Sequence, residues 1–151
     1  MGTEQNDEPI HACVEAWHAN LRGELAGGLD ELLHPDCVFL SPIVFRPQVG
    51  AELTKLYLSA AGNTLVGDEP PGDGEPSGKG FHYVKEIVSG HHAALEFETV
   101  MDGIAVNGVD IITCDDRGKI IEFKVMIRPL KAINLVHAQM KAMLELMQAA
   151  D

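Results

Sequence analysis

One acid, Asp110, stands between Val109 and Ile111 in the run VNGVDIITC, and it is the residue on which a chemistry could turn. A carboxyl in such a strand is either an edge residue in water or a buried group that needs a partner. Burial disfavours the charged form and raises the proton affinity, which suits a carboxyl for giving or taking a proton near neutral pH. The plainer alternative is a carboxyl satisfied by its neighbours with no chemistry, and at this level both stand. Other candidates are weaker. His91 and His92 are adjacent in a turn, so their side chains point apart and fit a solvated turn better than a metal site. His82 and Glu86 could form an acid–base pair, but an exposed pair on an outer or edge strand fits better. Arg46 sits in an irregular segment and Arg128 at a strand-to-helix corner, where a surface role and a structural pair are expected. No phosphate-binding glycine motif, nucleophile elbow or cofactor fingerprint is present, so neither a cofactor nor a metal is expected.

The elements that must position Asp110 follow from periodicity. Val106–Cys114 and Lys119–Arg128 read as two strands joined by a turn at Asp116-Arg117-Gly118, with Gly118 free to take positive φ. Phe123, Val125 and Ile127 share one face of the second strand, while Asp110 shares a face with Ile112 and Cys114 on the first. Phe81–Val88 and Ala93–Met101 precede them, and the short connections make the order an antiparallel meander. Upstream, Ile10, Cys13, Val14, Trp17 and Leu21 fall at helical spacing after Pro9. A short helix over Leu29–Leu33, a brief strand over Cys37–Leu40 and a helix over Ala51–Ala61 follow. Pro129 opens a last helix with a stripe of Leu130, Ile133, Val136, Met140, Met143, Leu144 and Met147. Residues 67–80, GDEPPGDGEPSGKG, cannot pack a core and are expected to form a mobile internal loop that gates a cavity. Helices followed by a curved antiparallel sheet define an α+β fold, a cone-shaped sheet wrapped on the N-terminal helices with a C-terminal helix added.

Residues 1–151 fit one domain with its own core. With 23 Asp and Glu against 11 Lys and Arg, the formal charge of −12 argues against nucleic acid and anionic membranes as partners. No stretch is long and apolar enough to cross a bilayer, and no signal-peptide pattern opens the chain. Cys13, Cys37 and Cys114 are widely spaced and odd in number, which reads as reduced core thiols and a cytoplasmic location.

The two-part first helix, the segment LLHPDCVFLSP, the third helix and the meander ending DIITCDDRGKIIEFKVMIRPL resemble the nuclear transport factor 2-like superfamily. That superfamily includes ketosteroid isomerases, limonene epoxide hydrolase and SnoaL-like polyketide cyclases. The resemblance covers nearly the whole chain and implies fold more than chemistry. It puts the oxyanion-stabilising Asp of ketosteroid isomerase on Asp110, ahead of Gly118-Lys119. It puts that family's helix-borne Tyr on Trp17 and its general base on Ser41, so two of three catalytic groups differ in type. The final-strand Asp of the epoxide hydrolase falls on Val125, which disfavours that reaction.

The resemblance also implies a cavity whose sheet side carries Leu95, Phe97, Gly108, Asp110, Phe123 and Ile127. Trp17, Phe45 and Tyr57 would close it from the helical side. Such a site suits a small apolar molecule with a carbonyl or hydroxyl for Asp110 to meet. Two classes of function remain: a cofactor-free isomerase, cyclase, dehydratase or hydrolase using Asp110, and a non-catalytic binding or assembly module. The resemblance further implies a homodimer packed through the outer sheet face, near Val84, Val88, Val100 and Ile111.

Overall fold

Strict alternation of buried and exposed residues sets the register of the longest ladder. In a computed structural model that describes residues 8–65 and 80–149, β4 (His92–Met101) and β5 (Ile104–Cys114) pair without interruption from His92↔Thr113 to Met101↔Ile104. That register places Leu95 opposite Asp110 and Phe97 opposite Gly108, all on the inner face. β6 (Ile120–Arg128) pairs antiparallel to β5, with Val125 opposite Asp110, and β3 (His82–Ser89) pairs antiparallel to β4. The expected meander is therefore present. The proposed loop over 67–80 lies outside the described residues except for Gly80.

Among the described residues the sheet has six strands, in the order β2-β1-β6-β5-β4-β3. β1 (Leu33–Leu40) adds parallel to β6, and β2 (Gln48–Val49) adds antiparallel to β1. β1 is longer than the expected Cys37–Leu40. Its register breaks between Leu33 and Val38, and Pro35, which has no N–H to donate, falls within that break. Among the described residues, four helices accompany the curved, unclosed sheet: α1 (Pro9–Leu21), α2 (Leu29–Leu32), α3 (Ala51–Thr64) and α4 (Leu130–Ala149). Together they make the expected α+β cone.

α1 begins at Glu8 with Pro9 in its first turn and buries Ile10, Cys13, Val14 and Trp17 against the sheet. Its start is tied to the β3–β4 turn: the Glu8 carboxylate accepts from the Gly90 amide at 2.9 Å, and the Ile10 amide donates to the Gly90 carbonyl at 3.2 Å. At the β5–β6 turn, Asp115 Oδ1 accepts from the Arg117 and Lys119 amides at 2.9 Å, and Gly118 takes φ +79°. Asp115, the first residue of the Asp-Asp-Arg-Gly turn, is thus the one that anchors it. Cys13, Cys37 and Cys114 are free and buried. Among the described residues, no helix is long and apolar enough to cross a membrane.

Two local departures have clear causes. The β3–β4 register shifts between Tyr83↔Phe97 and Lys85↔Glu96, inserting one extra residue in β3. Inward-facing positions are odd before this bulge and even after it. Val88, expected on the outer face, therefore pairs with buried Ala93 and packs against the core. On α4, Leu130 was expected in the buried stripe but is 71% exposed. The stripe is carried by Ala132, Val136 and Met140, and a residue two positions before Ala132 lies on the opposite side of a helix. The side chain of Met147 lies outside the described residues.

Gly108 allows the sheet to close over its inner layer. A Cβ there would sit 2.4 Å from Phe97 Cζ and 2.7 Å from the Met126 carbonyl oxygen. Phe97 is fully buried and cannot move aside freely. Gly108→Ala is expected to destabilise the protein by about 1–3 kcal/mol, measured by urea unfolding. An unchanged midpoint would show that Phe97 repacks at no cost.

Candidate functional site

Three elements bring one polar side chain each to a single line. The last turn of α1 supplies Trp17, the start of β3 supplies Tyr83 and the middle of β5 supplies Asp110. The Trp17 indole N–H donates to the Tyr83 hydroxyl at 2.9 Å, and the Tyr83 hydroxyl donates to Asp110 Oδ2 at 2.6 Å. Asp110 is 5% exposed. No cation faces it within ion-pair distance among the described residues. Burial accordingly pushes its carboxyl up from the ordinary 3.8 to about 7, with the Tyr83 hydrogen bond pulling the other way. Tyr83 is raised too, first by burial and then by the charge and hydrogen bond of Asp110. Its hydroxyl therefore keeps its proton and remains the donor in this pair.

Packing fixes the geometry. Trp17 meets Phe123 at 4.9 Å between ring centroids, tilted by 57°. Phe81 is edge-on to Tyr83 at 5.2 Å and stacks on Phe97 at 4.9 Å. Next to Tyr83, His18 lies edge-on at 5.5 Å, and its Nε2 meets the Glu86 carboxylate at 3.0 Å.

Asp110 opens onto a cavity of about 740 Å³ between the inner face and the helices, a size suited to a drug-sized molecule. Trp17, Tyr57, Phe123, Val125 and Ile127 line it together with Asp110, as expected from the sequence. Leu95 and Phe97 share the inner face but are fully buried and lie behind the cavity wall. Phe45 does not close the cavity. It is 100% exposed, because the segment after β1 turns Ser41, Pro42, Ile43 and Val44 inward and leaves Phe45 in solvent. Ser41 is at the cavity, where its Oγ accepts from the Ile43 and Val44 amides at 2.9 and 3.3 Å. That is a turn contact, and it gives the hydroxyl no basicity.

The weaker candidates are dispersed. His91 pairs with Asp116 at 2.8 Å and His92 contacts Thr113 at 3.2 Å. His82 lies 3.9 Å from Glu98 rather than pairing with Glu86. Arg46 is not among the cavity residues, and Arg128 donates to Asn107 Oδ1 at 2.9 Å. Among the described residues, no cluster of His, Cys, Asp or Glu could hold a metal ion.

Sequence reasoning missed Tyr83, the residue that holds Asp110. The signal was its spacing of two from Phe81, both aromatic, at the start of the strand. It also missed that α4 forms part of the cavity wall through Val136, Met140 and Leu144.

A curved sheet closed by helices around one buried acid defines the class of protein. No family model matches the chain, and no curated protein matches it significantly. Solved structures do. A steroid delta-isomerase from Pseudomonas aeruginosa aligns with a TM-score of 0.80 at 28% identity, over 93% of this chain and 95% of that one. A protein with a cystatin-like fold from Silicibacter pomeroyi aligns at TM-score 0.64 and 27% identity, over 77% and 73%. An NTF2-like protein from Mesorhizobium loti aligns at TM-score 0.62 and 19% identity, over 82% and 94%, a likeness of fold alone. The chain thus has the curved-sheet fold of the cystatin-like and nuclear transport factor 2-like proteins, and it is similar over nearly its whole length to one named as a steroid delta-isomerase.

The raised proton affinity of Asp110 has a signed consequence for stability. Below about pH 4 folded and unfolded chains both hold the proton and the residue costs nothing. From there to about pH 7 the unfolded chain ionises first, so stability falls. Above about pH 7 the cost is complete, on the order of 4 kcal/mol. Asp110→Asn removes this cost, since an amide oxygen can still accept from Tyr83. The variant should match the parent near pH 4 and be more stable at pH 8 by about 2–4 kcal/mol in thermal melts. A variant several degrees less stable at pH 8 would instead identify Asp110 as an ionised member of a structural network.

Proposed function

We propose that this protein binds a compact, largely apolar molecule with one carbonyl or hydroxyl oxygen at Asp110, and that Asp110 exchanges a proton with it. The observation that carries this reading is the line Trp17–Tyr83–Asp110, which ends in a buried carboxyl facing an apolar cavity. With Oδ2 held by Tyr83, Oδ1 is the oxygen left to meet a ligand. Protonated, it donates to a carbonyl; ionised, it takes a proton from carbon or hydroxyl. A proton affinity near neutrality lets the same group do both in succession. The likeness to a protein named as a steroid delta-isomerase supports an isomerisation, in which one group can remove a proton and return it elsewhere.

The test uses a β,γ-unsaturated 3-oxosteroid and follows its conversion to the conjugated enone by absorbance, while quenching of Trp17, the chain's one tryptophan, reports occupancy. Asp110→Asn should lower kcat by about 100-fold or more without abolishing quenching. Tyr83→Phe removes the bond that lowers the proton affinity of Asp110, so the limb of the pH–rate profile set by that group should move to higher pH. Quenching with no turnover in the parent would favour the second reading, a non-catalytic binding module, for which Ser41 at the position of the isomerase base already speaks.

The working unit we propose is a homodimer packed through the outer sheet face, where Val84, Ile87 and Met126 are 45%, 61% and 48% exposed. Ile87→Glu should convert a dimer to a monomer in sedimentation at micromolar concentration. A parent that sediments as a monomer there would remove the idea.

A further inference from the structure

We infer that the ligand is an oxo acid: an apolar body with its carbonyl at Asp110 and a carboxylate at the other end, held at the cavity mouth by Lys141 with Arg22. The inference rests on the proposed binding role of the cavity and adds the charge of what binds there. The wall has a gradient of exposure. Phe39, Phe123 and Val125 are buried around Asp110, whereas Arg22, His137, Lys141 and Glu145 are exposed and form the rim.

The rim departs from the rest of the surface in sign. The chain carries 23 acids to 11 Lys and Arg, yet among the described cavity residues the exposed charges are Arg22 and Lys141 against Glu145 alone. A neutral ligand gives no reason for cations to predominate among the described rim residues of so acidic a protein. Lys141 is also uncommitted. Lys55, Lys85 and Lys119 are within ion-pair distance of Asp30, Glu96 and Glu31, while Lys141, like Lys124 and Lys131, has no ion-pair partner among the described residues, and of these three only Lys141 lines the cavity. Arg22 engages Glu24 through Nε at 2.8 Å, which leaves its terminal nitrogens available.

The helix provides the alignment. His137, Lys141 and Glu145 recur every four residues along α4, beside Val136, Met140 and Leu144, which also line the cavity. One face of α4 therefore offers an apolar track to the ligand body and, along its outer margin, an ammonium flanked by an imidazole. A carboxylate leaving the cavity along that track meets Lys141, with the His137 ring as a further hydrogen-bond donor. Glu145 would repel a second negative charge, which favours a monoanion over a phosphate ester.

A matched pair of probes tests this: a 3-oxo steroid carrying a side-chain carboxylic acid, and its methyl ester, each titrated against the full chain by Trp17 quenching. The acid should bind about fivefold more tightly than the ester, the worth of a partly exposed ion pair. Raised salt should narrow the gap. Lys141→Met should erase the gap while leaving ester affinity unchanged, and Lys141→Glu should invert it. Equal affinity for acid and ester in the parent, or a gap untouched by Lys141→Met, would overturn the oxo-acid inference and leave the apolar-cavity reading standing. If neither probe quenches Trp17, both fall.

Discussion

The hydrogen bond from Tyr83 to Asp110 is the interaction on which the rest of this molecule depends. A carboxyl buried in an apolar sheet with no cation beside it is a cost, and one hydroxyl at 2.6 Å offsets part of it. To deliver that hydroxyl, β3 must turn Tyr83 inward next to Phe97 and α1 must bring Trp17 within reach of its oxygen. Trp17 in turn needs Phe123 against its face, and Phe123 needs β6 in register with β5. Gly108, opposite Phe97 in the ladder and two residues from Asp110, leaves the space that Phe97 occupies. The fold is thus constrained most tightly around the group that is least stable in it.

Much of the architecture was legible because strand periodicity is strict. Alternation through β4, β5 and β6 assigned Asp110, Phe123, Val125 and Ile127 to the inner face, and the ladders agree. The same rule failed on β3, where one inserted residue reverses the parity. A bulge leaves no mark in the period itself, so Val88 was assigned to the wrong face and Tyr83 was overlooked between His82 and Val84. Phe45 misled for another reason. Aromatic character suggests a wall, but only backbone direction decides whether a loop residue faces in. In that loop the Ser41 turn points the two preceding aliphatics, Ile43 and Val44, at the cavity instead. Exposure of Leu130 follows from helix phase, which a list of apolar residues does not fix at the end of a helix.

Moving a hydroxyl from helix to edge strand changes what the site can do. In the ketosteroid isomerases that the chain resembles, a helix-borne Tyr and a strand-borne Asp act together on a developing oxyanion. Here Trp17 stands on the helix and the hydroxyl arrives from β3, so the line gains a member and runs Trp17 to Tyr83 to Asp110. The Tyr83 proton is spent on Asp110, and its oxygen already accepts from Trp17. One donor, the carboxyl itself, is left for a ligand rather than two. The consequence is electrostatic. A hydroxyl aimed at the carboxylate stabilises its charge, so Tyr83 holds the proton affinity of Asp110 lower than burial alone would set it. A carboxyl kept strictly neutral is a hydrogen-bond donor and nothing more. One brought down to about 7 is populated in both forms at physiological pH, which is the condition for a single residue to remove a proton and then return it. Under the proposed function, Ser41 in place of a second carboxyl and Tyr83 beside Asp110 belong to one arrangement: a single side chain would carry both acid and base duties, with its proton affinity set by its neighbour.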